Sequence, residues 1–313
     1  MLSYIETSTP PIKVFFQSFQ IQICGELFVP EPGSPNRKGA AIVISHPMTS
    51  VKEQTSNYAR MLSNSGFFAL IFDAGYQGES SGEPRGLEDP HQRVEDIKAA
   101  VSYLTALSGR IDPERIGLLG IGASGGYASY ATQSDGRIKC LATISATCVG
   151  RMTRHGSVHE DHAARENPGA IATALEAAAQ ARLTAAKNPT AKLEAPVLFK
   201  ADSPDSFFRD AAAYYGSRRG KHERSTQRVP PQSYDLMVSY DSFNLQHLIA
   251  PRPLLMIAGS EAQTLHYSRT AIGVARGSKE LFVVPGKNHF DLYDSWETTY
   301  TPKLLDFFIN GLE

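Results

Sequence analysis

Short apolar runs alternate with amphipathic segments along most of the chain, and this alternation limits the possible folds more than any other feature. The runs at 40–45 and 67–72 are continuously apolar, as is typical of strands buried on both faces of a sheet. Further strands are predicted at 116–120, 138–145, 253–258 and 281–284. A leading hairpin is predicted over 14–19 and 21–29. The sequence therefore predicts an α/β fold, with a mostly parallel sheet and helices on both faces.

The alternation stops between residues 150 and 232, where the chain is rich in Ala, Arg, His and Glu. Asn167 and Pro168 favour a helix start there, since Asn suits the N-cap and Pro the first helical position. An insertion of this length between strands is typical of a cap. We therefore predict a core of residues 1–149 and 233–313 with an inserted helical cap at 150–232.

Charge and composition exclude several classes of protein. The chain has 31 Lys and Arg against 32 Asp and Glu, a net charge of −1, which argues against nucleic acid as the partner. A hydrophobic share of 42% is ordinary for a globular protein. The cysteines, Cys24, Cys140 and Cys148, are too few for a disulfide framework. No signal-peptide or membrane-span pattern is visible, so we expect a cytoplasmic protein that does not bind membranes.

The sharpest local motif is the pentapeptide from Gly122 to Gly126, which matches G-x-S-x-G with Ser124 at its centre. It follows the predicted strand 116–120 and precedes a predicted helix over 124–132. A strand, a tight turn with serine and a helix make the context of a nucleophile elbow. Ser124 is therefore predicted to be a catalytic nucleophile.

A competing interpretation of the same glycines is dinucleotide binding, because Gly120, Gly122 and Gly125 also spell G-x-G-x-x-G. That fingerprint requires a carboxylate at the end of the following strand to hold the ribose. Residues 144–148 contain none, and the glycines follow a middle strand rather than the first. The sequence thus favours the elbow and predicts no cofactor.

A serine nucleophile needs a base and an acid that orients it. His289 follows the last predicted strand, at the sheet edge where Ser124 also lies, and is the predicted base. Glu261 is the carboxylate in the turn after strand 253–258 and is the predicted acid. Asp241 and Asp235, from the segment before that strand, remain alternatives.

An oxyanion hole would use two backbone N–H groups. The loop after strand 40–45 begins with His46 and supplies the N–H of Met48, while Gly125 supplies the second. His46 is then expected to shape the loop rather than to act as a base.

Two polar clusters suggest weaker hypotheses. His155, His159 and His162 would share one face of a helix, but no complementary ligand set exists elsewhere, so we predict no metal site. The basic run 218–224 is expected to be a solvated loop, with contact to an anionic carrier or substrate as the alternative.

The chain resembles the α/β-hydrolase superfamily, in the branch related to dienelactone hydrolases, and most of all the capped hydrolases that include fungal polyketide transferases. The segments that carry the resemblance are 46–49, 72–80, 120–127, 251–260 and 289–294. It implies a nucleophile at Ser124 and a base at His289. It is less informative on the acid, because Ala262 stands where many such enzymes have Asp.

The resemblance implies a serine esterase, thioesterase or polyketide transferase that acts on a bulky ester or thioester in secondary metabolism. The alternative is a non-hydrolytic lyase, cyclase or ligand-binding protein that uses the same pocket. We expect a small-molecule substrate, with presentation by a carrier protein and a homodimer as open possibilities. A further hypothesis is that aromatic residues of the cap line the pocket, and the alternative, favoured for any single one of them, is that they pack the cap onto the core. They are Phe199, Phe207, Phe208, Tyr214 and Tyr215.

Overall fold

A computed structural model describes residues 9–107, 109–155, 166–188, 195–294 and 300–313. Within these ranges one sheet has eight strands in the order β1-β2-β4-β3-β5-β6-β7-β8. The strands are β1 (Ile12–Ser18), β2 (Ile21–Phe28), β3 (Ala41–Ser45), β4 (Phe68–Phe72), β5 (Ile116–Ile121), β6 (Ile138–Ile144), β7 (Leu254–Gly259) and β8 (Lys279–Val284). Strand β2 runs antiparallel to β1 and β4, and all other neighbours are parallel. The predicted fold class and the leading hairpin are confirmed.

Helices pack along the sheet, as the helical spacing between the strands predicts. They are α1 (Ser56–Asn64), α2 (Pro90–Ala106), α3 (Ala123–Ser134), α4 (Val149–His155), α5 (Pro168–Lys187), α6 (Ser206–Gly216), α7 (Ser233–Met237), α8 (Leu265–Val274), α9 (Asp291–Asp294) and α10 (Thr301–Gly311). Helices α1, α3, α8 and α10 contact the central strands, and α2 contacts β1, β3 and α3. Every residue of β3 and β5 is buried, which explains their uninterrupted apolar sequences.

The carboxyl ends of β3 to β8 meet at one edge of the sheet, because these strands are parallel. Two contacts at this edge fix the loop that carries His289. The Ser145 hydroxyl, just after β6, donates to the His289 carbonyl oxygen at 2.9 Å. At Gly259 a Cβ would lie 2.0 Å from the Lys287 carbonyl oxygen, so only glycine allows this approach.

Helices α4 to α7 lie between β6 and β7; α5 and α6 fall inside the segment 150–232 where the sequence predicts a cap, α4 begins at its start and α7 follows its end. Helix α5 begins as expected, since the Asn167 side chain accepts from the Ala170 N–H at 3.0 Å. Of its residues only Ala178 and Ala181 are buried. Part of the predicted cap lies outside the described residues, and its boundaries at 150 and 232 stay a prediction. Within the described chain, no helix combines the length and the apolar character that crossing a bilayer requires.

Candidate active site

The turn between β5 and α3 has its sharpest point at Gly122. This residue has φ 60° and ψ −125°, and α3 begins at the next residue, Ala123. A positive φ of this kind suits glycine and strains other residues. A nucleophile elbow is a sharp, strained strand-to-helix turn that exposes its central side chain. In this chain the residue at that point is Gly122, two positions before Ser124.

Ser124 lies inside the first turn of α3 and is completely buried. Its hydroxyl donates to the His46 carbonyl oxygen at 2.5 Å and accepts from an Arg93 guanidinium nitrogen at 3.0 Å. The Ser45 hydroxyl lies 2.9 Å away. Among the described residues no hydrogen bond joins Ser124 to His289. The structure therefore does not bring the predicted nucleophile and base together.

A buried ion pair beneath the turn explains where the Ser124 side chain points. The Arg93 guanidinium lies 3.4 Å from the Glu88 carboxylate, and both side chains are almost fully buried. It also donates to the His46 carbonyl oxygen at 2.6 Å. Burial raises the pKa of Glu88, an effect that the Arg93 charge opposes. Sequence analysis missed this pair, because two charged residues at a helix start usually indicate a solvated surface.

One of the two predicted oxyanion-hole donors already has a partner in the structure. The Gly125 N–H donates to the Gly122 carbonyl oxygen at 2.9 Å, so it is used within the first turn of the helix. Met48 does line the cavity at this edge, together with Ala123. With the sharpest point of the turn at Gly122, the residue that follows it is Ala123 rather than Gly125, so the oxyanion hole at Met48 and Gly125 stays a prediction. His46 shapes the loop, because its Nε2 accepts from the Ala74 N–H at 3.0 Å.

His289 is buried and has two side-chain partners. Its Nε2 lies 2.7 Å from the Tyr293 hydroxyl and its Nδ1 lies 2.5 Å from the Thr264 hydroxyl. Burial lowers the pKa of His289 to about 3. Burial also raises the pKa of Tyr293 well above its usual range. The imidazole and the phenol are therefore both uncharged at neutral pH.

The three candidate acids lie away from this imidazole. Glu261 is exposed, and its carboxylate accepts from the neighbouring Ser260 hydroxyl at 3.1 Å. Asp241 forms an ion pair with Arg151, and Asp235 forms one with Arg182. No carboxylate of the described chain contacts the His289 ring. The position of the orienting acid is taken by the Thr264 hydroxyl, which the sequence analysis did not single out.

These contacts predict that Glu261→Gln leaves turnover within about twofold of the wild type. Thr264→Val should lower turnover by roughly fivefold, because a hydrogen bond of about 1 kcal/mol that orients His289 is lost. Thr264→Ser keeps the hydroxyl and is the matched control. Steady-state kinetics of the three variants on one ester would test this. A severe loss in Glu261→Gln with an unaffected Thr264→Val would contradict the assignment.

A cavity of about 370 Å³ lies between the segment predicted to be a cap and the sheet edge. His289, Tyr293, Met48 and Ala123 line it from the core. The segment 150–232 contributes mainly apolar side chains, Met152, Phe199, Phe207, Phe208 and Tyr215, and Met237 follows just after it. Four of the five expected aromatic residues thus line the cavity. The fifth, Tyr214, is not part of the lining and packs on Phe290, with ring centroids 5.6 Å apart.

The two polar clusters give no site in the described chain. No group of His, Cys, Asp and Glu in the ranges that the structure describes could hold a metal ion, and His159 and His162 lie outside those ranges. In the basic run, Arg219 pairs with Asp294 at 2.6 Å and Arg224 pairs with Glu53. These two arginines are therefore engaged within the protein.

Comparison with known proteins identifies this fold. The chain superimposes on the α/β hydrolase GrgF of a Penicillium species with a TM-score of 0.79 at 20% identity, over 97% of this chain and 99% of that one. It therefore has the α/β-hydrolase fold. No family model matches the sequence.

Two relatives match over most of the chain. YcjY of Escherichia coli is 34% identical over 277 residues, 88% of this chain and 89% of that protein. PA2218 of Pseudomonas aeruginosa is 32% identical over 298 residues, 94% of this chain and 78% of that protein. The crystal structure of PA2218 superimposes with a TM-score of 0.88 at 30% identity, covering 98% and 96% of the two chains. The protein belongs to the same family as YcjY and PA2218, and its fold is that of the α/β hydrolases.

Two fungal proteins match over a smaller part of the chain. Thiohydrolase aneE of Aspergillus aculeatus is 34% identical over 125 residues, 40% of this chain and 37% of that protein. Polyketide transferase claH of Penicillium crustosum is 34% identical over 134 residues, 42% and 43% of the two chains. The resemblance to fungal polyketide transferases is thus confirmed over part of the chain.

Proposed function

We propose that the protein cleaves or transfers the acyl group of an ester or thioester whose acyl part is bulky and apolar. The observation that carries this proposal is the apolar cavity under the cap, with His289 and Tyr293 on its core side. A cavity of about 370 Å³ is of the size that holds a small-molecule ligand. Apolar walls with few polar groups bind the body of a ligand and leave its orientation to those groups.

The chemistry of the proposal depends on His289. Because burial keeps its imidazole uncharged, Nε2 or Nδ1 carries a free lone pair that accepts a proton. The Phe207 ring lies 5.0 Å from the imidazole, centroid to centroid, so the acyl part of a substrate would pack beside the reacting groups. The names of the fungal relatives, a thiohydrolase and a polyketide transferase, support acyl chemistry on bulky substrates.

Phe208→Ala is expected to discriminate between acyl chain lengths. Phe208 lines the cavity and is only half-buried, so its loss should leave the fold intact. A buried aromatic contact contributes about 1.5–3 kcal/mol, so kcat/KM for decanoyl esters and thioesters should fall roughly 10- to 100-fold. Acetyl substrates do not reach this ring and should be cleaved at nearly the wild-type rate.

Phe15→Ala is the matched control, since Phe15 is a 54% exposed phenylalanine on β1 that does not line the cavity. Its kcat/KM values should equal those of the wild type for both chain lengths. Equal losses for acetyl and decanoyl substrates in Phe208→Ala would mean that this side chain supports the fold and does not select the substrate.

The second candidate is a non-hydrolytic enzyme, such as a lyase or cyclase, or a ligand-binding protein. It is favoured by the burial of Ser124, which lies outside the cavity lining. The same set of substrates separates the two candidates. Tight binding of decanoyl compounds without turnover by the wild type would favour the second.

A further inference from the structure

The space above Gly122 is filled by another side chain. A Cβ built on Gly122 would lie 2.2 Å from the Tyr293 hydroxyl oxygen and 3.2 Å from the Pro47 Cβ. The phenol hydroxyl thus takes the volume into which any side chain at position 122 would project. The Tyr293 hydroxyl can therefore occupy this position only because residue 122 is a glycine.

The Tyr293 hydroxyl also holds the hydrogen-bonding position of a nucleophile. In a serine hydrolase the Nε2 of the base faces the hydroxyl of the nucleophile. Here Nε2 of His289 faces the Tyr293 hydroxyl at 2.7 Å. The fully buried Ser124 hydroxyl instead bonds to His46 and Arg93 on the other side of the turn.

We infer that Tyr293 replaces the missing nucleophile of the elbow and relays a proton between a water molecule and His289, so that no acyl-enzyme forms. This inference depends on the proposed acyl chemistry. Tyr293 is suited to the relay because it both lines the cavity and contacts the imidazole. The Thr264 hydroxyl at Nδ1 holds the ring in place from its other side.

The relay balances as a direct hydrolysis. The oxygen of the water molecule bonds to the acyl carbon, its proton passes to the Tyr293 oxygen, and the phenol proton passes to Nε2 of His289. The tetrahedral adduct then expels the alkoxide or thiolate as the C–O or C–S bond breaks. The imidazolium returns its proton through Tyr293 to that leaving group, and both side chains regain their starting state.

A fluorophosphonate probe, read out by peptide mass spectrometry, tests the inference without any known substrate. The wild type should remain unlabelled at Ser124 and at Tyr293. Gly122→Ser combined with Tyr293→Phe should be labelled at position 122. The second change removes the hydroxyl, and the nearest remaining atoms then lie 3.2 Å from the new Cβ. Gly122→Ser alone keeps the clash and should be labelled far less.

Labelling of the wild type at Ser124 or Tyr293 would overturn the inference. A double variant that is folded by circular dichroism yet unlabelled at position 122 would also overturn it. Both results are independent of substrate turnover. Failure of the proposed function would appear differently, as an absence of turnover on every ester and thioester.

Turnover provides a second test of the relay. Tyr293→Phe should lower kcat by about 100-fold, the lower range for loss of a proton-transfer group. Tyr300→Phe is the matched control, since Tyr300 is a buried tyrosine whose hydroxyl bonds to the Leu292 carbonyl oxygen at 2.6 Å outside the cavity lining. It should lower the melting temperature but not kcat. Full activity of Tyr293→Phe would remove Tyr293 from the mechanism.

Discussion

Replacing His289 with alanine is expected to lower kcat/KM on acyl substrates by about two to four orders of magnitude. The imidazole lines the cavity and contacts both Tyr293 and Thr264, so every proton transfer proposed for this site passes through it. The measurement is steady-state kinetics on the substrate with the highest kcat/KM, with circular dichroism to establish folding. Activity within tenfold of the wild type would show that the reaction does not use this side chain.

His247→Ala is the control for removal of an imidazole, because His247 is half-buried and does not line the cavity. The pH profile is a second measurement. With the pKa of His289 held near 3 by burial, the base stays unprotonated as the pH falls from 8 to 5. We therefore expect no decrease in kcat/KM centred on pH 6.5, the usual pKa of histidine. If the wild type showed such a decrease and a residually active His289→Ala variant did not, burial would not be lowering the pKa of His289.

Lys52→Met is expected to cost about 3–5 kcal/mol in the free energy of unfolding. The Lys52 ammonium is fully buried and lies 2.9 Å from the Asp73 carboxylate, which is also fully buried. It lies 2.6 Å from the Glu79 carboxylate. Burial alone would lower the pKa of Lys52, but these carboxylates outweigh burial and raise it. Methionine fills the volume and leaves a buried carboxylate without its counter-charge.

Urea denaturation gives the free energy of unfolding for this comparison. Lys13→Met is the matched control, because the Lys13–Glu79 pair has side chains 51% and 32% exposed and, screened by solvent, should contribute far less to stability than the buried pair. If the two variants were equally stable, the buried cluster would contribute no more than a surface ion pair.

The fold was predictable from the sequence because its central strands are buried on both faces. Strands β3 and β5 have no solvent-facing positions, so their apolar runs are uninterrupted and their limits are clear within one or two residues. The start of α5 was equally clear, because Asn167 and Pro168 serve the helix terminus locally. Local chemistry of this kind does not depend on the rest of the chain.

The site was less predictable because the glycines around the turn allow two alignments of the elbow motif, one centred on Ser124 and one on Gly122. G-x-S-x-G centres on Ser124, whereas the backbone places the positive φ at Gly122. Because residues 120, 122, 125 and 126 are all small, the sequence fits either alignment. Tyr293 offered a weak signal, as it follows His289 by four residues. Thr264 offered none, since a hydroxyl in the place of a carboxylate is visible only in three dimensions.

The weak packing of helix α5 has a consequence for how ligands enter and leave the cavity. Its alanines give it little apolar area to bury. Its Arg182 forms an ion pair with Asp235, and the Arg182 side chain is 51% exposed. Yet Ala170 and Ala174 of the same helix form part of the cavity wall. Because α5 buries so few side chains, separating it from the core takes less free energy than separating the deeply packed α3. We therefore expect the residence time of a bulky ligand to depend on the opening of this helix, so that replacing one of its buried alanines with leucine changes the rate of release but not the chemical step.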